Sequence, residues 1–158
     1  MGFSPSRLRA AMTPRTKERP LAAGAAGKRG ALLLVDANGA YAVCGVDPAA
    51  IAATAASDFG PDTSGFNHLG AAGFPPGFVQ GHSVDGAQPF LAGYMGALPA
   101  ADGGSYGVTL DADGEWKVDF GKVAGFARVK LVKKLTDSPE NRNQVEVVVL
   151  AANVQVNQ

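Results

Sequence analysis

A tight turn between two alternating runs of residues constrains this chain more than any other stretch. Apolar residues alternate with small or polar ones over residues 105–110 and again over 115–120, the period-two pattern of half-buried β-strands. Between them, Asp113 and Gly114 provide the positive φ angles of a short hairpin turn. The single tryptophan, Trp116, lies on this hairpin. We therefore predict a central β-hairpin with Trp116 buried in the core.

The rest of the composition favours a mainly β fold. The 158 residues suffice for one domain of ordinary size, and 21 glycines and 10 prolines place turns at short intervals. A second hairpin is predicted over residues 31–46, and single strands over 88–98, 126–135, 144–150 and 153–158. Asp47 followed by Pro48 resembles a helix start, so the alanine-rich residues 49–57 predict one short helix. No apolar run approaches the ~18 residues of a membrane span, and we expect no membrane contact.

The N-terminal residues 1–29 differ from the body, residues 30–158. The first thirty residues carry seven Lys or Arg against one Glu, so the remainder carries −6 in a chain of zero net charge. This start also resembles a mitochondrial transit peptide. Three prolines and few large apolar residues predict an extended basic arm that gains order on a partner. Its candidate contact residues are Phe3, Arg7, Leu8, Arg9, Met12, Arg15, Lys17, Arg19 and Leu21.

Residues 58–81 are interrupted by glycine and proline throughout and predict a long loop. Half of the eight phenylalanines lie here, which is unusual for a free linker. Either the rings form a contact surface for a partner, or they hold the loop against its own domain. The candidate contact residues are Phe59, Phe66, Phe74 and Phe78.

No constellation of residues predicts a metal site, an organic cofactor or catalysis. The acidic turn after residue 110 lacks the glycine and glutamate spacing of a calcium-binding EF-hand loop. Cys44 is the only cysteine, and a small buried role fits its valine neighbours. His68 and His82 have no further ligand at a metal-site spacing. We expect a protein that is not an enzyme, with no cofactor.

Nucleic acid and carbohydrate are the alternative partners. The basic arm can neutralise phosphates, but Phe3 is the only aromatic residue among its cations, which does not favour base stacking. The same cations can equally rest on an acidic protein surface. The Phe-bearing loop can bind carbohydrate as well as protein.

Several segments together resemble a known family. The glycine and apolar strand at residues 30–36, the segment 44–51, the hairpin halves 106–109 and 114–119, and the closing strand 145–150 follow one another as in small head decoration, or cement, proteins of tailed bacteriophages. The likeness covers about residues 30–151. Its motifs are structural, and none carries a catalytic residue.

The resemblance implies a small β-barrel or β-tulip domain on the outside of a virion. Proteins of this family bind the assembled capsid, form oligomers and extend their termini over neighbouring capsid subunits. For this chain the implied partners are the major capsid protein and further copies of itself, a trimer in preference to a dimer. The long basic arm fits such a clamp, whereas the loop at 58–81 is longer than the family leads us to expect.

Overall fold

The computed structural model describes residues 2–6, 15–63, 65–66, 72–74, 76–135 and 143–155; for 65–66 and 72–74 the description is of the backbone. The fold is mainly β, with two three-residue 3-10 turns, Ala124–Phe126 and Ala151–Asn153, as the helical elements of the described chain. The strands are β1 (Ser4–Pro5), β2 (Thr16–Pro20), β3 (Leu32–Val35), β4 (Tyr41–Val43), β5 (Ala53–Ala55), β6 (Gly65–Phe66), β7 (Ala72–Phe74), β8 (Phe78–Ser83), β9 (Pro89–Met95), β10 (Ser105–Leu110), β11 (Trp116–Asp119), β12 (Val129–Lys134) and β13 (Gln144–Val149).

Five strands close into a β-barrel. The order is β9-β11-β10-β12-β13, and β13 returns to pair antiparallel with β9, so the ring has no free edge. The pairing of β11 with β9 is parallel and joins strands that are distant in sequence. Valines, Leu131 and Phe90 point inward and are almost completely buried, so side chains fill the interior.

The predicted central hairpin is confirmed. Strands β10 and β11 pair antiparallel, with Val108 opposite Val118 and Leu110 opposite Trp116. The Oδ1 atom of Asp111 accepts hydrogen bonds from the backbone N–H groups of residues 113 and 115, each at 2.9 Å, and Gly114 adopts φ 78°. The acidic residues thus build the turn itself. Trp116 is 3% exposed, as its place on the hairpin predicted.

The turn makes the hairpin sensitive to acid. The ammonium of Lys117 lies 2.6 Å from the carboxylate of Asp111, and with the backbone N–H donors it lowers the pKa of Asp111 from 3.8 to about 2. Because the folded pKa is the lower one, this stabilisation is complete above about pH 4 and is lost as the pH falls towards 2. Asp111→Asn should therefore flatten the dependence of Tm on pH in that window.

Thermal melts followed by circular dichroism between those pH values test this expectation. Asp113→Asn is the matched control, since the Asp113 carboxylate makes no hydrogen bond to a described residue. Equal slopes of Tm against pH for Asp111→Asn and the parent would show that Asp111 is not the group responsible.

The second sheet lies beside the barrel and has the order β2-β8-β5-β3-β4. The predicted hairpin at 31–46 is confirmed in the pairing of β3 with β4, around a turn in which Asp36 accepts two backbone hydrogen bonds and Gly39 has φ 77°. The two edges of the sheet approach each other where Leu21 bridges to Tyr41. Tyr41 on β4 is buried, and its hydroxyl donates to the backbone carbonyl of Lys17 on β2 at 3.4 Å.

The helix predicted over residues 49–57 is wrong. Residues Ala53–Ala55 form β5, a fully buried strand between β3 and β8. Asp47 has φ 48° and makes no helix cap, and the backbone of the segment instead bonds to its two neighbouring strands. Gly81 on β8 allows this strand to pack closely, because a Cβ added to Gly81 would lie 2.8 Å from the Cβ of Ala53. Sheet packing thus outweighs the helix propensity of alanine.

Other predicted boundaries change less. The strands predicted over 88–98, 126–135 and 144–150 are present with shorter bounds as β9, β12 and β13, and residue 126 belongs to a 3-10 turn. The loop predicted over 58–81 contains β6, β7 and the start of β8. Its Gly81 permits close approach to Tyr41, whose hydroxyl would lie 2.7 Å from an added Cβ. In place of the strand predicted over 153–158, Val154 makes a single bridge to Ile51; residues 156–158 lie outside the description.

One buried hydroxyl lowers the stability of the central strand β5. Thr54 is completely buried, and its Oγ1 has no hydrogen-bond partner among the described residues. Thr54→Val should raise the free energy of unfolding by about 1 kcal/mol, because it removes an unsatisfied polar group at constant shape. Thr109→Val is the control, since the Thr109 hydroxyl donates to Asp119 at 2.8 Å and its loss should destabilise. Urea titration of both variants measures whether each change raises or lowers the free energy of unfolding. Destabilisation by Thr54→Val would contradict the prediction.

Candidate protein interface

Residues that the sequence assigned to partner contact are partly internal. The prediction that Phe3 contacts a partner is wrong, because Phe3 is 1% exposed and belongs to the core of its own chain. Its N–H donates to the carbonyl of Gly30, and β1 pairs with β9 beside the barrel. The hydroxyl of Ser6 donates to the buried carboxylate of Glu146 at 2.6 Å. This start of the chain is therefore fixed on β9 and β13.

The second described part of the basic segment forms β2 and pairs with β8. Arg15 and Lys17 are exposed there. Arg19 lies over the ring of Tyr41 at 5.7 Å and donates to a turn carbonyl, while Leu21 packs against the core. The remaining predicted contact residues, Arg7, Leu8, Arg9 and Met12, lie outside the described residues.

The Phe-bearing loop also turns inward where its side chains are described. Phe59 is 2% exposed, and its ring packs so closely on Gly27 that a Cβ added there would lie 2.7 Å from the ring. Phe59 therefore holds the loop on its own domain, and the prediction that it contacts a partner is wrong. Phe78 is half-buried at the start of β8. Phe66 and Phe74 lie on β6 and β7, and their side chains are outside the description.

Cys44 is a buried thiol whose Sγ donates to the carbonyl of Ala50 at 3.7 Å. Burial raises its pKa to about 12, so the thiol stays protonated at neutral pH. His82 is buried on β8, and His68 lies outside the described residues. Among the residues that the structure describes, no three His, Cys, Asp or Glu side chains come together as metal ligands.

Four large hydrophobic residues are exposed in the described chain, with exposed fractions of 86%, 49%, 52% and 54% for Val46, Leu110, Val123 and Phe126. We call this set of residues the apolar face; Val46 and Leu110 line the same groove. Scattered apolar residues are common on protein surfaces, but a contiguous group marks an interaction site.

Two loops hold the apolar face together. Lys122 places its ammonium 2.7 Å from the carboxylate of Asp47 and 3.2 Å from the carbonyl of Val108. Arg128 donates to the carbonyls of Asp47 and Pro48 at 3.1 and 2.6 Å. These contacts connect the loop after β4 with the loop after β11, so residues distant in sequence lie side by side.

The same two loops contain strained backbone. Asp47 with φ 48° and Ala124 with φ 54° are the residues other than glycine that have positive φ in the described part of the chain. Each directly follows an exposed valine of the apolar face, Val46 or Val123. Such conformations are uncommon for side-chain-bearing residues and cluster at functional sites. The two strained residues therefore lie directly after the two exposed valines, Val46 and Val123.

A groove lies between Val46 and Leu110. Its volume is about 320 Å³, and it is lined by apolar residues of β10, the Cys44–Val46 segment, Trp116 and the Lys122 side chain. On the other side of Leu110 a second groove of about 350 Å³ reaches Val43 and Ala31, again over Trp116. The apolar face thus combines projecting side chains with recesses.

Sequence reasoning did not find the apolar face. Single valines next to aspartate or alanine in turns give no periodic pattern, and the four residues come from three separate segments. The weak signal was Val46-Asp47, an apolar residue at a turn that the sequence assigned to a helix start.

Comparisons with known proteins identify no relative: no protein-family model matches the chain, and searches of curated proteins and of solved structures find no match. No helix within the described residues has the length and apolar character to cross a membrane.

Proposed function

We propose that this chain is a non-catalytic structural protein of a phage virion that binds the outer surface of the assembled capsid and stabilises it. The observation that carries the proposal is the apolar face, a set of exposed apolar side chains on a fold built around a closed β-barrel. The resemblance of residues 30–151 to head decoration proteins supports the choice of the capsid as partner.

The size of the apolar face suits a protein contact. Its four side chains are each about half exposed or more, with Val46 the most exposed at 86%. A standard protein interface buries about 800 Å² per partner, of which somewhat more than half is apolar. The face therefore supplies part of the apolar area that one such interface requires.

Stabilisation follows from mass action. A protein that binds the assembled shell and not the free subunits raises the free energy of disassembly by RT ln(1 + [L]/Kd) at each site. Contacts made by several copies add to this term, so a modest affinity at each contact is sufficient.

The test is binding to purified expanded capsids that lack decoration. Sedimentation of shells with bound protein should give a fixed stoichiometry, and decorated shells should disassemble at a higher temperature than bare shells. Phe126→Asp should weaken this binding, and Ala101→Asp, at an exposed position in a separate turn, should not.

Two results would contradict the proposed function. One is the absence of shell binding by the parent chain under low salt. The other is stronger retention on nucleic acid with a steep dependence on salt, which would favour a nucleic-acid-binding module that uses the cations of β2.

A further inference from the structure

We propose that Asn38 is a site of spontaneous covalent modification, at which the side-chain amide is lost as ammonia and the main chain changes to a β-aspartyl linkage. Asn38 lies in the turn between β3 and β4, and this turn contributes no residue to the apolar face. The inference therefore does not depend on the function proposed above.

The reaction needs water and no enzyme. The backbone nitrogen of Gly39 attacks the Cγ atom of Asn38, the bond from Cγ to the amide nitrogen breaks, and ammonia leaves with the proton of the Gly39 N–H. Water then opens the resulting succinimide ring at either carbonyl. Opening at one carbonyl gives aspartate, and opening at the other gives a β-aspartyl linkage, in which the main chain is longer by a methylene group.

Sequence and exposure select Asn38 for this reaction. Asparagine is thermolabile in proteins, and a following glycine leaves the attacking nitrogen unshielded because it has no side chain. Asn38 is the only asparagine of the chain that precedes a glycine, and it is exposed, without a side-chain hydrogen bond to a described residue. Asn153 differs in both respects, since its amide donates to the carbonyl of Ala49 at 3.1 Å and the next residue is Val154.

The folded turn restrains the attacking nitrogen. The N–H of Gly39 donates to the carbonyl of Asp36 at 3.1 Å, and the carbonyl of Gly39 accepts from the Nη1 atom of Arg19 at 2.9 Å. The Arg19 guanidinium also lies over the ring of Tyr41, 5.7 Å from its centre. Because the same nitrogen cannot donate to Asp36 and bond to Asn38, the turn has to open locally before the ring forms. Arg19 therefore slows the modification by holding the turn closed.

The β-aspartyl product cannot rebuild the same turn. Its extra methylene group moves Gly39 relative to Asp36, so the hydrogen bond between Arg19 and the carbonyl of Gly39 is lost. Strands β2 and β4 are the two ends of the second sheet, and that bond joins β2 to the turn before β4. The modification therefore loosens the contact between the two edges of the sheet, and it is irreversible because no step restores the amide.

Mass spectrometry of the full chain, incubated at mildly alkaline pH and sampled over weeks, tests the proposal. The parent should gain the mass of an amide-to-acid exchange at residue 38, with the β-aspartyl form detected by peptide mapping, and Tm should fall as this form accumulates. Arg19→Gln should raise the rate of the mass change about 5-fold or more, the effect of one lost hydrogen bond on the opening of the turn. Lys17→Gln, an exposed change on the same strand, should leave the rate unchanged.

Two further variants and a peptide complete the test, with circular dichroism as the check on folding. Asn38→Gln should show no mass change at this position, since glutamine forms the larger ring far more slowly. Asn38→Asp should melt close to the parent, which assigns the lost stability to the β-aspartyl form. A synthetic peptide of residues 34–43 gives the rate without the folded turn. If the parent and Arg19→Gln are both unmodified when the peptide has reacted completely, the modification site is overturned; equal rates in these two proteins overturn the role of Arg19.

Discussion

Trp116→Ala should lower the free energy of unfolding by about 3–5 kcal/mol, a large part of the ~5–15 kcal/mol of a typical domain. Trp116 is 3% exposed, pairs with Leu110 of the barrel strand β10 and lines both grooves, one of which also reaches Ala31 and Val43 of the second sheet's region. Its removal leaves a cavity where the two sheets meet. Urea denaturation followed by far-UV circular dichroism measures the loss without relying on tryptophan fluorescence.

Trp116→Phe is the matched control. The indole Nε1 is buried with no hydrogen-bond acceptor among the described residues, so phenylalanine removes volume without breaking a hydrogen bond. We expect less than half of the loss seen for alanine. Alanine and phenylalanine variants with parental stability would show that the hairpin does not support the core.

Gly30→Ala should destabilise the protein by about 3 kcal/mol or more, because left-handed backbone costs an alanine ~1–2 kcal/mol and displacement of a buried Phe costs more. Gly30 has φ 82°, and an added Cβ would lie 2.7 Å from backbone atoms of Gly2 and Phe3. Backbone atoms cannot move away as a flexible side chain can. The N-terminal strand would have to leave its place, and Phe3 would be drawn from the core.

Gly24→Ala measures the cost of left-handed backbone separately from the cost of a steric clash. Gly24 has φ 74°, close to that of Gly30, but an added Cβ there meets no atom within 4 Å. Its variant should lose only the ~1–2 kcal/mol of left-handed strain. Chemical denaturation of the two variants side by side gives the difference. Equal losses would mean that contact between residues 2–3 and Gly30 contributes nothing to stability.

The two hairpin turns and the burial of two residues could be predicted from the sequence. The turns at residues 111–114 and 36–39 were readable because their chemistry is local: an aspartate accepts backbone hydrogen bonds two and four residues later, and glycine takes the positive φ. Burial of Trp116 followed from its position on the predicted hairpin. The predicted inert Cys44 is buried, with its pKa raised by that burial.

The N-terminal segment shows where local reasoning fails. Thr16–Pro20 is a charged strand and Ser4–Pro5 is only two residues long, so neither has an alternating apolar pattern. Both are strands because β8 and β9 offer them backbone hydrogen bonds. The backbone of Phe3 lies against Gly30, to whose carbonyl it donates, and nothing in the N-terminal residues themselves indicates that contact.

A mainly β chain with two hairpins is predictable from the residues alone, because alternation and turn chemistry act over a few neighbouring positions. Three features arise only in the folded chain: the strand Ala53–Ala55, the closure of the barrel by β13 on β9, and the approach of two loops distant in sequence at the apolar face. Each of these depends on contacts between residues tens of positions apart. Such contacts bury apolar surface and provide hydrogen-bond partners for backbone N–H and C=O groups, and neither effect can be predicted from the propensities of neighbouring residues.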